Sequence, residues 1–288
     1  MESYQLSPII LNFNTMKKLL YLIIGLSIIT SCEDVIDVDV PNGEPKLVID
    51  ASFEIYLDET PVDALGGVRL TLSAPFFNDG VPTVSNATVF ITHLSDNSVV
   101  NFIESLNEPG FFIPEDPNLI PEFDIDYELT VIYEGETYKA TTQLIPTVAI
   151  DNVEQGDGTL FDGDETEVIV FFTDEGNRED FYLFDFDFNL YLPSEDRFYQ
   201  GESFNFSYFY EDMVGGEQVT IKILGIDERY YNYSNILIEQ SEQDGGNPFQ
   251  TPPAQIRGNI INTTNPDNFA LGYFNLSEAN RFQFTIEE

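Results

Sequence analysis

At 288 residues the chain is long enough for one large domain or two smaller ones, and 51 acidic against 11 basic side chains give it a formal net charge of −40. A field of that sign disfavours nucleic acid and anionic membrane surfaces as partners. Hydrophobic residues at 42% and aromatics at 14% exceed what a solvated acidic tail carries, so a folded core is expected.

Met16-Lys17-Lys18 followed by the apolar run Leu19 to Ile29 reads as a signal peptide, too short at roughly 7–15 residues to span a bilayer. Met16 opens that signal by itself, so the first fifteen residues are expected to be an over-extended start. The run ends in Thr30-Ser31-Cys32, small residues before the only cysteine, as in bacterial lipoproteins cut just before a diacylated thiol. Residues 1–31 are therefore assigned to the signal and residues 32–45 to a lipidated Cys32 and its tether. The competing reading is a plain secretory signal with an incidental cysteine. Two or three acyl chains anchor stably where one does not, because each buried methylene contributes about 0.8 kcal/mol. Glu33, Asp34, Asp37 and Asp39 follow the lipid site and resemble a surface-export signal of Bacteroidota-type lipoproteins. Cleavage removes Lys17, Lys18 and Glu2, leaving 9 basic and 50 acidic side chains and a net charge of −41.

From Lys46 the pattern becomes short strands separated by turns. Leu47 to Ile49, Val68 to Leu72 and Ala87 to Leu94 are expected strands, and Asp96-Asn97 supplies a hairpin-like turn into Val99 to Ile103. Tyr127, Leu129, Val131 and Tyr133 share one face, and Gly135 turns the chain into Tyr138 to Thr141. With no segment of helical period, residues 46–146 read as an immunoglobulin-like β-sandwich in architecture, without that fold's cysteine pair or tryptophan. Pro146 to Gly163 reads as a boundary.

Residues 147–288 are expected to form a second antiparallel β domain with one short helix. Within it, residues 181–192 alternate Tyr182, Phe184, Phe186, Phe188, Leu190 and Leu192 against Asp185, Asp187 and Asn189, which predicts a half-buried strand with a wet acidic face. Val168 to Phe172, Phe204 to Tyr210 and Val219 to Leu224 are further strands. Tyr230, Tyr233, Leu237 and Gln240 recur at helical spacing over 228–243, with Asp227 as cap and Gly245-Gly246 as stop. Pro248, Pro252 and Pro253 impose an extended loop before strands around Ile256 to Ile261 and Phe269 to Phe274.

Chemistry is sparse. One histidine, His93, and a cysteine consumed by lipid leave no basis for a zinc site or a nucleophile–histidine pair, and no cofactor is expected. Fifty carboxylates make some close acidic pair inevitable, so such a pair does not identify a glycosidase. Asp157, Asp162 and Asp164 could supply oxygen ligands for calcium but miss the EF-hand spacing, and a solvated linker is the simpler account. The segment holding Phe249, Arg257, Asn259 and Tyr273 is dense in Pro, Gly and aromatics, and these four are the candidate ligand or partner contacts. Arg257, rare as a cation here, is expected to pair with a carboxylate or an anionic ligand group.

The lipoprotein signal, Lys46-Leu47-Val48-Ile49, the Gly135-x-x-Tyr138-x-Ala140-Thr141 portion and the Asn-Pro-Phe … Pro-Pro … Gly-Asn-Ile … Leu-Gly-Tyr-Phe tail resemble a family of Bacteroidota lipoproteins known as domain of unknown function 4249. Nearly the whole mature chain is covered, and the tail is the specific part. Members are often encoded beside TonB-dependent outer-membrane receptors. The resemblance thus implies a non-enzymatic accessory or ligand-capture subunit of such a transporter, held at the outer membrane through Cys32 and facing the exterior. It carries over no catalytic residue. A structural or adhesive surface protein without a transport role is the alternative.

Overall fold

A computed structural model describes residues 43–75, 80–116, 120–160, 163, 165–211, 213–241 and 255–287, together with Lys17, Lys18 and Tyr21. Cys32, Phe249, Asp162 and Asp164 lie outside the described residues, as do the prolines at 248, 252 and 253 and the glycine pair at 245–246. Residues 44–288 form one compact unit and residues 1–43 another, in which Lys17, Lys18 and Tyr21 are helical. Among the described residues no helix is long and apolar enough to cross a membrane.

The structure is mainly β, with sixteen strands and one α-helix among the described residues. The first half carries β1 (Leu47–Tyr56), β2 (Asp63–Leu72), β3 (Thr88–His93), β4 (Val99–Glu104), β5 (Phe111–Pro114), β6 (Tyr127–Tyr133), β7 (Glu136–Thr142) and β8 (Leu144–Ile145). The second carries β9 (Ile150–Gln155), β10 (Thr166–Thr173), β11 (Phe181–Asp185), β12 (Tyr191–Glu195), β13 (Ser203–Tyr210), β14 (Gln218–Ile226), α1 (Glu228–Ser241), β15 (Ile261–Asn262) and β16 (Leu271–Thr285). One large sheet runs in the order β12-β11-β14-β16-β1-β2-β5-β4-β3-β6-β7-β15, with β8 added beside β16, and a second sheet runs β13-β10-β9.

Two-residue periodicity builds the first core. Leu47, Ile49, Ala51, Phe53 and Ile55 of β1 point inward, while Asp50, Ser52 and Glu54 point out. They meet Val68 and Leu70 of β2, Val89 and Ile91 of β3, and Leu129 and Val131 of β6, so the large sheet closes on itself as a sandwich. The expected turns are present: Asn97 takes φ 61° between β3 and β4, and Glu134-Gly135 take φ 49° and 81° between β6 and β7, the left-handed pair that matches hairpin twist. In the second core, Val168, Val170 and Phe172 of β10 pack against Tyr182 and Phe184 of β11 and Ile221 and Ile223 of β14. The fifteen-residue β16 serves both cores. Its first half pairs with β1 in parallel and its second half with β14 antiparallel, and Phe274 and Leu276 belong to the first core.

Four expectations change. Residues 181–192 are a hairpin and not one strand: Asp187, Phe188 and Asn189 take φ 67°, 51° and 63°, the chain reverses, and Phe188 is left exposed. The face expected to be wet is covered, since Leu183 and Asp185 are both buried. Finally, the stretch from Pro146 to Gly163 contains β9, and the strand starting near Phe269 continues to Thr285.

A loop from Asn262 to Asn268 is tied to β7 through Glu136, whose carboxylate accepts from Tyr138 Oη (2.7 Å), Asn268 Nδ2 (2.6 Å), Asn262 Nδ2 (2.9 Å) and Asn265 Nδ2 (3.1 Å). The Tyr138 bond, then those of Asn268 and Asn265, hold its pKa down to about 2 from 4.5. Because the folded value is depressed, the stabilisation is full above the unfolded value and is lost as pH falls from 4.5 through about 2. Melting curves should therefore show Glu136→Gln with a shallower acid decline than the parent in that window; identical declines would refute the role.

Candidate functional site

The outward face of the large sheet, where β12, β11, β14, β16, β1 and β2 lie side by side, is roofed by α1. Asp227 caps that helix: its carboxylate accepts from the Tyr230 backbone N–H at 2.6 Å, satisfying one of the donors a helix start leaves free. Tyr230 and Tyr233 then face the sheet and meet Tyr273 of β16, with ring centroids 4.7 and 5.1 Å from it. Between roof and floor is a cleft of about 670 Å³, within the range of small-molecule sites.

The floor follows from strand register. Asp50 stands beside Tyr273, Ser52 beside Asn275 and Glu54 beside Ser277 on the paired strands β1 and β16. Lys222 of β14 lies opposite Asp185 of β11. The Lys222 ammonium sits 3.1 Å from both Glu54 and Asp185. Burial works to lower the pKa of Lys222, but Glu54 and Asp185 outweigh it and the lysine is held charged; burial pushes Asp185 upward against the pull of Lys222. Burial, followed by the charge of Asp50, raises the hydroxyls of Tyr230 and Tyr233. Asp50 itself accepts from Ser52 Oγ at 3.0 Å.

One polar atom in this wall is orphaned. Asn275 is 6% exposed, its Nδ2 donates to Ser277 Oγ at 3.2 Å, and its Oδ1 finds no hydrogen-bond partner among the described residues. A buried acceptor left in that state costs about 1–3 kcal/mol.

The candidate contacts read from sequence are not gathered in one place. Tyr273 lines the cleft, and its hydroxyl lies 3.3 Å from Asp227. Asn259 is buried and spends its amide on β16: Nδ2 donates to the Phe274 carbonyl at 2.7 Å and Oδ1 accepts from the Phe274 N–H at 2.8 Å. It thereby stands in for a neighbouring strand, which is a positioning task. Arg257 is exposed and stacks on Phe269, 3.7 Å from the ring centroid, and among the described residues no carboxylate pairs with it. Asp157 is exposed on the loop after β9. His93 lies edge-on to Tyr127 at 5.1 Å, with Asp96 Oδ1 3.0 Å from its Nδ1.

Sequence reasoning did not single out a second polar cluster. Asp174, Asp180 and Asp196 are buried, with one carboxylate oxygen of each within 4.8 Å of the others. Oxygens at this spacing suit a hard cation such as calcium. Here they are engaged internally. Arg178 Nε donates to Asp180 at 2.6 Å, the Tyr182 hydroxyl lies 2.6 and 2.9 Å from Asp174 and Asp180, and the N–H groups of Gly201 and Asp180 donate to Asp174 and Asp196. Burial raises the pKa of Asp180 and Asp196. The cluster ties β11 to the 3₁₀ turn at Asp196–Phe198.

A description by sequence similarity accompanies this geometry. The family described as "Domain of unknown function (DUF4249)" matches residues 33–283. The chain belongs to the DUF4249 family. That match spans the cleft, both cores and the C-terminal segment, so cleft and fold fall within the family domain. No curated protein matches the chain. Among solved structures, the chicken interferon gamma receptor alpha chain is 9% identical over 63% of this DUF4249 chain and 88% of its own, with a TM-score of 0.19. A score that low says nothing of the fold.

Proposed function

We propose that this DUF4249 protein is a non-enzymatic ligand-capture lipoprotein, anchored through Cys32 to the outer membrane, facing the exterior and serving as accessory subunit of a TonB-dependent transporter. The observation that carries ligand capture is the roofed cleft, which is ligand-sized and holds a buried acceptor with no partner of its own. Its floor offers carboxylates and a lysine engaged by two of them, an arrangement suited to recognition. The anchor is supported by the basic start, short apolar run and Thr-Ser-Cys end of the N-terminal segment. The receptor partner is the setting implied by the family resemblance.

Cys32→Ala should move the protein from the membrane fraction to the soluble one, because the acyl chains are the proposed attachment. Unchanged membrane association would remove the anchor. Affinity purification of the full-length protein in mild detergent should recover a β-barrel receptor near one-to-one. Recovery of the lipoprotein alone would refute the subunit role and leave a free-standing binder or adhesin.

A further inference from the structure

Resting on the ligand-capture reading, we infer that the cleft under α1 takes a small organic cation: a protonated amine on an apolar body, its nitrogen toward Asp50 and Asn275 Oδ1 and its hydrocarbon part against the tyrosines. Lys222 is consumed by Glu54 and Asp185. Two arginines stand on strands of this face, Arg69 as the cross-strand neighbour of Asp50, and both are engaged by other carboxylates. Arg69 pairs with Glu108 at 2.6 Å and lies over Phe111, and Arg281 pairs with Glu59 and Asp63 and lies over Tyr56. Asp50 is left with a serine hydroxyl as its hydrogen-bond donor. Asp50, Glu54, Asp185 and Asp227 stand against Lys222 and Arg229, whose guanidinium donates to the Gly258 carbonyl, so the cleft carries an anionic excess.

The second observation is independent of charge. Asn275 lines the cleft, and its buried Oδ1 lacks a donor among the described residues. By register it is a diagonal neighbour of Asp50 on the paired strands β1 and β16. A ligand bearing N–H groups answers both needs together: the charge for Asp50 and a donor for Asn275.

Shape and surroundings narrow the class further. Tyr230, Tyr233 and Tyr273 form a three-ring cluster, and ring faces attract ammonium groups while accepting alkyl or aromatic carbon. A bare divalent ion would need six or more oxygens, whereas Leu224, Leu237 and Ile238 are among the residues that line this cleft. Anions are opposed by the local excess and by the chain's charge of −40, whose field draws cations toward the surface.

The test is titration of full-length, detergent-solubilised protein with 2-phenylethylamine and with neutral 2-phenylethanol, read by calorimetry and by tyrosine fluorescence, which the absence of tryptophan leaves clean. Saturable one-to-one binding of the amine is expected, with the alcohol at least tenfold weaker. Asp50→Asn should weaken the amine about tenfold, and Asn275→Leu should weaken it too. Glu154→Gln, an exposed carboxylate on β9, should change nothing. Asp50 is exposed, so its variant tests the site without disturbing the core, and thermal melts check the Asn275 variant. Equal affinity for the alcohol, non-saturable binding, or an equal effect of Glu154→Gln would overturn the inference. Absent amine binding with the receptor still co-purifying would sink this ligand class alone. Amine binding without a receptor would support the site and refute the transporter role.

Discussion

Gly272→Ala is expected to abolish folding of the 44–288 unit, leaving no cooperative melt and little soluble protein, because the added methyl has no space that side-chain movement can provide. Gly272 sits at φ 98°, and a Cβ there would lie 2.0 Å from the Ile49 carbonyl oxygen, its own partner strand's backbone. On the other side, a Cβ on Gly258 would lie 1.6 Å from the Gly272 carbonyl oxygen. Three backbone segments thus meet at contact distance, and Asn259 locks the next residues by bonding both backbone groups of Phe274. Separating β16 from β1 disturbs both cores at once, since β16 also carries β14. Single substitutions rarely exceed about 4–5 kcal/mol, but a total stability of about 5–15 kcal/mol leaves little beyond that. Gly216→Ala is the control. It has a similar φ of 90° with nothing within 4 Å of the added Cβ, so it isolates conformational strain, worth about 1–2 kcal/mol. Equal urea midpoints for the two variants would refute the close-packed junction.

The same junction shows what sequence can and cannot disclose. Alternation in β1, β3 and β6 was legible because one face is core and the other polar. The helix was legible from Asp227 and the tyrosine spacing. The hairpin at Asp187–Asn189 was not, because Phe188 is strand-prone and continues the apolar alternation straight through a reversal that only Asp187 and Asn189 signal. β9 was hidden by a register shift opposite Phe171 and Phe172 that puts Ile150 and Val153 three residues apart on the buried side. The continuation of β16 past Phe274 was hidden for another reason: residues 272–277 are covered on both faces, and small polar residues such as Asn275 and Ser277 stand where apolar ones would mark a strand. The cleft inherits these difficulties. Asp50, Asp185, Lys222, Tyr230 and Asn275 come from five elements, and no spacing in one segment unites them. Tyr273 alone was reachable, through the density of glycine and aromatics around it. The polar face of β11 reads as solvent-facing, and it is α1 folding back over the sheet that makes it, with β1, a floor.

Phe172→Ala should lower stability by about 3–5 kcal/mol, the loss typical of emptying an aromatic site in a packed core. Phe172 is fully buried, and its ring is 5.3 Å from Phe184, 5.3 Å from Tyr199, 5.9 Å from Phe206 and 6.0 Å from Tyr182, mostly edge-to-face. These partners belong to β11, β13 and the residue that closes the 3₁₀ turn, so the ring, itself on β10, is where the three-stranded sheet grips the large one. Edge-to-face pairs contribute about 0.5–1.5 kcal/mol beyond burial, and the cavity left by alanine is walled by stiff rings that collapse poorly. For a chain of this size the melting temperature should fall on the order of 10 °C. Phe172→Leu, which keeps most of the volume, should lose distinctly less. Exposed Phe198 provides the contrast: at 84% exposure it should tolerate alanine within about 0.5 kcal/mol. Urea unfolding of the three variants decides the matter, and a Phe172→Ala loss as small as that of Phe198→Ala would refute the packing of the second core. Because that core underlies β11 and β14, Phe172→Ala should also loosen the cleft floor. Amine binding in this variant should then weaken with rising temperature sooner than in the parent.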